Sequence, residues 1–124
     1  MPNSPPKNIL IIDDSKDMQS LLTHVFESKG HTVACSPDGQ HALSCLNVKA
    51  LTPDLIFLDL MMPVMCGNEF LKHRANDSRL KEIPVIVMSG VNEMQSPIIE
   101  TPLTFTLKKP FSLTDVLAAA QRDY

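Results

Sequence analysis

The sequence predicts an α/β domain built on a parallel sheet with helices on both faces. Three observations predict it. Short apolar runs recur along the chain, and they are nearly continuous instead of alternating, as expected of strands buried on both faces. Segments with helical spacing separate these runs. The runs also end on reactive polar groups: Asp13 and Asp14 follow Asn8-Ile9-Leu10-Ile11-Ile12, Asp59 follows Asp54-Leu55-Ile56-Phe57-Leu58, and Ser89 follows Pro84-Val85-Ile86-Val87-Met88.

In chain order, residues 1–7 hold Pro2, Pro5 and Pro6 without a large apolar residue and read as a flexible leader to one domain over 8–124. The first strand covers 8–12. Met18, Leu21, Leu22, Val25 and Phe26 then mark one helical face, so a helix is expected over about 15–29, with Gly30 as its stop. A strand over 31–36 follows, and Pro37-Asp38-Gly39 turns the chain into a helix carrying Ala42, Leu43 and Leu46, closed by Pro53. After the strand ending at Asp59, a loop through Pro63 and Gly67 leads to a helix over 68–75 with Phe70 and Leu71 facing inward. Strands are expected over 84–88 and 103–107. Between them Pro97 and Pro102 leave room only for a short or irregular fourth helix, or for one displaced to begin near Pro97. Ser112 caps the last helix with Asp115 three residues on, and Leu113, Val116, Leu117 and Ala120 form its apolar stripe.

Composition narrows the function classes. A chain of 124 residues can bury a full core without disulfides, and its three cysteines, Cys35, Cys45 and Cys66, are odd in number and lack metal-site spacing. They read as reduced, mostly buried thiols. The formal charge of −3 and the scattered lysines and arginines give no footprint for direct nucleic-acid binding. No apolar stretch is long enough for a signal peptide or a bilayer span, so a cytoplasmic domain without a membrane partner is expected.

If the first and third strands are parallel neighbours, their carboxyl ends bring Asp13, Asp14 and Asp59 into one crevice, where open α/β sheets bind ligands. Two carboxylates about 4 Å apart repel by roughly 4 kcal/mol at an effective dielectric near 20. A hard divalent cation relieves this, and oxygen-only ligands suit Mg²⁺ or Mn²⁺. His24, His31, His41 and His73 lie on helices or away from the strand ends and are not expected as ligands. A metal, a central carboxylate, a hydroxyl and an ammonium match phosphoryl transfer. Asp59 is then the nucleophile, and Lys109 and Ser89 each take one phosphoryl oxygen.

With Asp13-Asp14, Asp59, Met62-Pro63, Gly67, Ser89 and Lys109-Pro110-Phe111 in this order, the chain resembles the receiver domain of two-component response regulators, of the chemotaxis-regulator type. The resemblance implies a flavodoxin-like, doubly wound five-stranded sheet in the order 2-1-3-4-5. It implies Mg²⁺-dependent phosphorylation of Asp59 by the phosphohistidine of a sensor kinase or phosphotransfer protein, as in a phosphorelay. The metal would be held by Asp14, Asp59 and the backbone carbonyl of Met61, with Asp13 acting through water, and the Lys109-Pro110 bond would be cis. The product is a switch for partner binding, not an enzyme. An aspartyl phosphatase would need an acid where Met61 stands.

Several positions depart from the family pattern. Thr106 occupies the place of the switch aromatic, while Phe105, one residue earlier, should face the other side of the sheet. No Gly-Ala pair precedes the fifth strand and prolines interrupt the stretch 90–102, so the usual signalling surface of fourth helix, fifth strand and fifth helix is not expected; the response is expected to use 90–102 as a mobile segment in place of an aromatic rotation on a fixed helix, the alternative being a rigid variant loop. Met61 and Val91 are apolar where dephosphorylation is tuned, which implies slow self-dephosphorylation. Thr106 also leaves room for a phosphorylation-independent pseudo-receiver.

Overall fold

β1 (Asn8–Ile12) and β3 (Leu55–Asp59) run parallel, with Leu10 opposite Ile56 and Ile12 opposite Leu58. The structure is a computed structural model and describes residues 5–47, 52–60, 67–89, 103–108 and 111–122. β2 (Thr32–Ser36) pairs with the outer edge of β1, β4 (Val85–Ser89) with β3, and β5 (Thr104–Lys108) with β4, giving the expected parallel order 2-1-3-4-5. Among the described residues the helices are α1 (Lys16–Glu27), α2 (Gly39–Asn47), α3 (Gly67–Ala75) and α4 (Leu113–Gln121). Expectations for 90–102, including the mobile stretch and the irregular helix, fall outside these residues.

Strand alternation sorts the core into two layers. Even-numbered β1 and β3 residues such as Leu10, Ile12, Ile56 and Leu58 pack with Ala42 and Leu46 of α2 and with Phe70 and Leu71 of α3. Odd-numbered residues such as Ile11 and Phe57 pack with Leu22 and Phe26 of α1 and Val116 of α4. Phe57 meets Phe26 at 4.9 Å between ring centroids. β3 and β4 are buried along their whole length, whereas the edge strands β2 and β5 are partly exposed. Burial on both faces therefore holds for the sheet's interior and fails at its two margins.

The helix ends follow local chemistry. Ser15 caps α1, its Oγ accepting from Met18 N–H at 3.2 Å. α1 stops two residues short of the expected 29 because Ser28 Oγ donates to Val25 O at 2.6 Å and Gly30 takes a positive φ of 91°. Ser112 and Asp115 form the expected capping box of α4. β5 begins at Thr104, one residue late, because Leu103 has a left-handed φ of 59°.

Two expectations about burial are corrected. Leu21 and Leu113 are each 45% exposed, because they lie on the flanks of stripes whose centres are Leu22, Val25 and Phe26 in α1 and Val116 and Ala120 in α4. Cys35 is exposed on the edge strand β2, with Sγ 3.3 Å from Thr23 Oγ1, and Cys45 is half-buried on α2, 3.7 Å from His41 Nδ1. Cys66 lies outside the described residues. Arg74 is fully buried: its Nε and Nη2 donate to Ile83 O at 3.0 and 2.7 Å, and Nη2 also donates to Lys81 O at 3.0 Å. No helix among the described residues is long and apolar enough to cross a membrane.

Candidate phosphoryl site

The carboxyl ends of β1 and β3 bring the three acids together. Asp13 and Asp14 follow β1 directly and Asp59 is the last residue of β3, so the parallel register places them at one edge of the sheet. One carboxylate oxygen from each lies within 4.8 Å of the others. Asp13 and Asp59 are buried, at 1% and 5% exposure, while Asp14 is exposed. At that spacing each charged pair repels by at least about 3.5 kcal/mol at an effective dielectric of 20. Among the described residues this is the one group of three side chains able to hold a metal, and no histidine belongs to it. An oxygen-only set with one solvent-facing member fits a hard divalent cation that keeps some of its water.

Backbone contacts hold the acids in place. Asp13 N–H donates to Ser36 O at 3.0 Å, Asp13 Oδ1 accepts from Ser15 N–H at 2.9 Å, and Gln19 Nε2 donates to Asp13 O at 2.5 Å. Leu60 N–H donates to Met88 O at 3.1 Å, so β4 also fixes the residue after Asp59. Gly67, the first residue of α3, donates its N–H to Leu60 O at 2.7 Å. A Cβ at Gly67 would sit 2.7 Å from Leu60 Cα, 3.0 Å from Leu60 O and 3.1 Å from Asp59 O. Only glycine allows α3 to start this close to the backbone of Asp59.

Ser89 ends β4 at the same edge of the sheet, 9% exposed and in register with Lys108. Thr106 is exposed and pairs with Val87, while Phe105 is half-buried against the layer containing Ile86, Met88 and Val116. The two side chains therefore point to opposite faces, as alternation requires. Met61, Val91, Lys109 and Pro110 lie outside the described residues.

Gln19 and Arg74 were not singled out by sequence reasoning. Gln19 carries no pattern that would reveal its contact with Asp13 O. Arg74 does, because it stands four residues after Phe70 and three after Leu71, on the buried face of α3. Burial lowers its guanidinium pKa from the ordinary value.

Comparison with known proteins places this chain in a family. The response regulator receiver domain family matches residues 9–121. The phosphate regulon transcriptional regulatory protein PhoB of Escherichia coli is 30% identical over 90% of this chain and 49% of its own length. The Regulator of RpoS of Escherichia coli is 40% identical over 71% of this chain and 25% of its own length. The chain thus spans half or less of these curated relatives. In fold it is similar to the chemotaxis response regulator CheY4 of Vibrio cholerae, with a TM-score of 0.83, 28% identity, and coverage of 95% of this chain and 98% of the other. It is likewise similar to the receiver domain of NtrX from Brucella abortus, with a TM-score of 0.79, 26% identity, and coverage of 92% and 95%. The chain belongs to the response regulator receiver domain family, the phosphoaccepting signalling module of two-component systems.

Proposed function

We propose that Asp59 is the phosphoacceptor of a receiver unit spanning residues 8–124 behind the leader 1–7, whose last residue, Lys7, is bonded to His31 and Thr32, and that its phosphorylation switches partner binding. The observation that carries this reading is the meeting of the Asp13, Asp14 and Asp59 carboxylates within 4.8 Å of one another. Asp59 Oδ attacks the phosphorus of a phosphohistidine on a sensor kinase or phosphotransfer protein. The O–P bond forms, the P–N bond breaks and imidazole departs. Asp14, Asp59 and the Met61 carbonyl would hold Mg²⁺, with Mn²⁺ as the alternative, and Asp13 would act through water. When bound, the cation neutralises charge on the acids and on the transferring group. Lys109 contributes a compact positive charge to a second phosphoryl oxygen, and the Ser89 hydroxyl donates to a third.

Thr106 stands where the switch aromatic is usual, so the response is read out without a ring turning inward at that position. Met61 and Val91 offer no polar atom to orient a hydrolytic water, which makes the phosphoryl group long-lived. The intact set of acids and Ser89 do not favour a phosphorylation-independent module. Intact-mass analysis after treatment with a small phosphodonor and Mg²⁺ tests the proposal. One phosphoryl group is expected on the wild type and none on Asp59→Asn. An unmodified wild type would contradict it.

A further inference from the structure

The sheet end opposite the acids carries a buried histidine that phosphoryl chemistry does not use. His31 lies just before β2 and is 5% exposed. Its N–H donates to Phe26 O at 3.2 Å, and its ring stands edge-on to Phe26, at 6.3 Å between centroids and 81° between planes. Its Nδ1 accepts the backbone N–H of Lys7 at 3.0 Å. An amide nitrogen can only donate, so Nδ1 must present a lone pair: the ring is neutral, with its proton on Nε2.

Lys7 is fastened at two further points. Its carbonyl accepts from Thr32 N–H at 3.0 Å, and its Nζ donates to Arg122 O, at the end of α4, at 2.6 Å. Lys7 therefore joins the entry into β1, the start of β2 and the end of α4. Of the three bonds, the one to His31 depends on a titratable acceptor.

Burial lowers the His31 pKa from its ordinary value, and the charge of Lys7 lowers it further. The elements that meet at this corner also carry Glu27 and Lys29 near the end of α1, Asp54 before β3 and Arg122 after α4. Asp54 Oδ2 is engaged by Asn8 N–H at 2.8 Å. Lys7 is the charge that acts on the ring, and it opposes the imidazolium.

We propose that His31 is an acid-operated latch: a proton taken up at Nδ1 turns the acceptor into a donor facing Lys7 N–H, and the segment leading into β1 lets go of the sheet, releasing the tie from Lys7 to α4. The fold holds this base neutral, so the folded state binds fewer protons than the open one. The latch is fully closed above the ordinary histidine pKa of 6.5 and weakens as pH falls below it. Its opening constant rises by up to about tenfold per pH unit until the folded ring itself titrates. The latch acts at the amino end of β1, away from Asp13 and Asp14, and is independent of the phosphoacceptor reading.

Residue-resolved amide exchange tests it. From about pH 7.5 to about pH 5.5, protection factors of Lys7 and Thr32, taken relative to Leu10, should fall by up to about tenfold in the wild type. They should stay level in His31→Gln, whose amide oxygen accepts the same N–H without titrating. Level protection in the wild type, or an equal fall in the variant, would overturn the latch. Should the variant fail to fold, NMR titration of the His31 ring in the wild type decides: a midpoint below 6.5 supports the latch, and one at or above 6.5 refutes it.

Discussion

Gly67→Ala sets helix propensity against steric contact, and the two predict opposite signs. Gly67 opens α3, and an alanine inside an exposed helix gains about 0.5–1 kcal/mol over glycine. Propensity alone predicts a more stable protein. The site geometry predicts the reverse, because the added Cβ would lie 2.7 Å from Leu60 Cα and 3.1 Å from Asp59 O, well inside normal contact distance. These neighbours are backbone, so no side chain can swing away. Nor can the strand end move freely, since Leu60 N–H is bonded to Met88 O at 3.1 Å and Leu60 O receives Gly67 N–H at 2.7 Å. Overpacking of this kind costs about 1–3 kcal/mol. Net of the propensity gain, a loss of about 1–2 kcal/mol is expected. With a urea m-value of about 1–3 kcal/mol per molar, the midpoint should fall by about 0.3–2 M. Because the atoms that must move belong to Asp59 and Leu60, divalent-metal binding should weaken in parallel. A midpoint equal to or above that of the wild type would refute the reasoning. Gly30→Ala serves as a contrast: nothing lies within 4 Å of its Cβ, but its φ of 91° penalises any side chain, so stability should fall with metal binding unchanged.

Three further expectations follow from individual side chains. Asp13→Asn removes one of three mutually repelling carboxylates and should raise metal-free stability by up to about 1–2 kcal/mol while reducing the stabilisation that Mg²⁺ provides; thermal melts with Mg²⁺ and with chelator report both, and an undiminished Mg²⁺ shift would contradict the assignment. Arg74→Met leaves the Ile83 and Lys81 carbonyls without their guanidinium donor and should cost about 2–4 kcal/mol in urea unfolding, whereas a change below about 0.5 kcal/mol would place Arg74 outside the core. The Met61→Asn, Val91→Glu double variant should lose its phosphoryl group faster than the wild type when decay is followed by intact mass, and slower loss would reverse the reading of those two positions.

Legibility in the sequence followed the strength of local constraint. Fully buried strands announce themselves, since β1, β3 and β4 are continuous apolar runs, and the polar residue after each run marks the site edge. Caps are equally local: Ser112 and Asp115 specify the start of α4 by themselves. What periodicity could not resolve is the width of a buried stripe. Leu21 and Leu113 satisfy helical spacing, yet they stand at the stripe's margin and remain exposed. Edge position is a tertiary property, so hydropathy patterning by itself could not show the exposure of Cys35 on β2. The two contacts that brace the rear and front of α3, Arg74 on the Ile83 carbonyl and Gly67 on Leu60, are tertiary contacts that no local periodicity encodes. Arg74 could still have been found from its place on the Phe70–Leu71 face.

The assignment of Asp59 is tested most directly by locating the phosphoryl group itself. After reaction with a small phosphodonor and Mg²⁺, borohydride reduction converts an aspartyl phosphate to homoserine, which peptide mass analysis can place in the chain. Homoserine at position 59 is the expected result. Homoserine at position 13 or 14, or none at any position, would contradict the account.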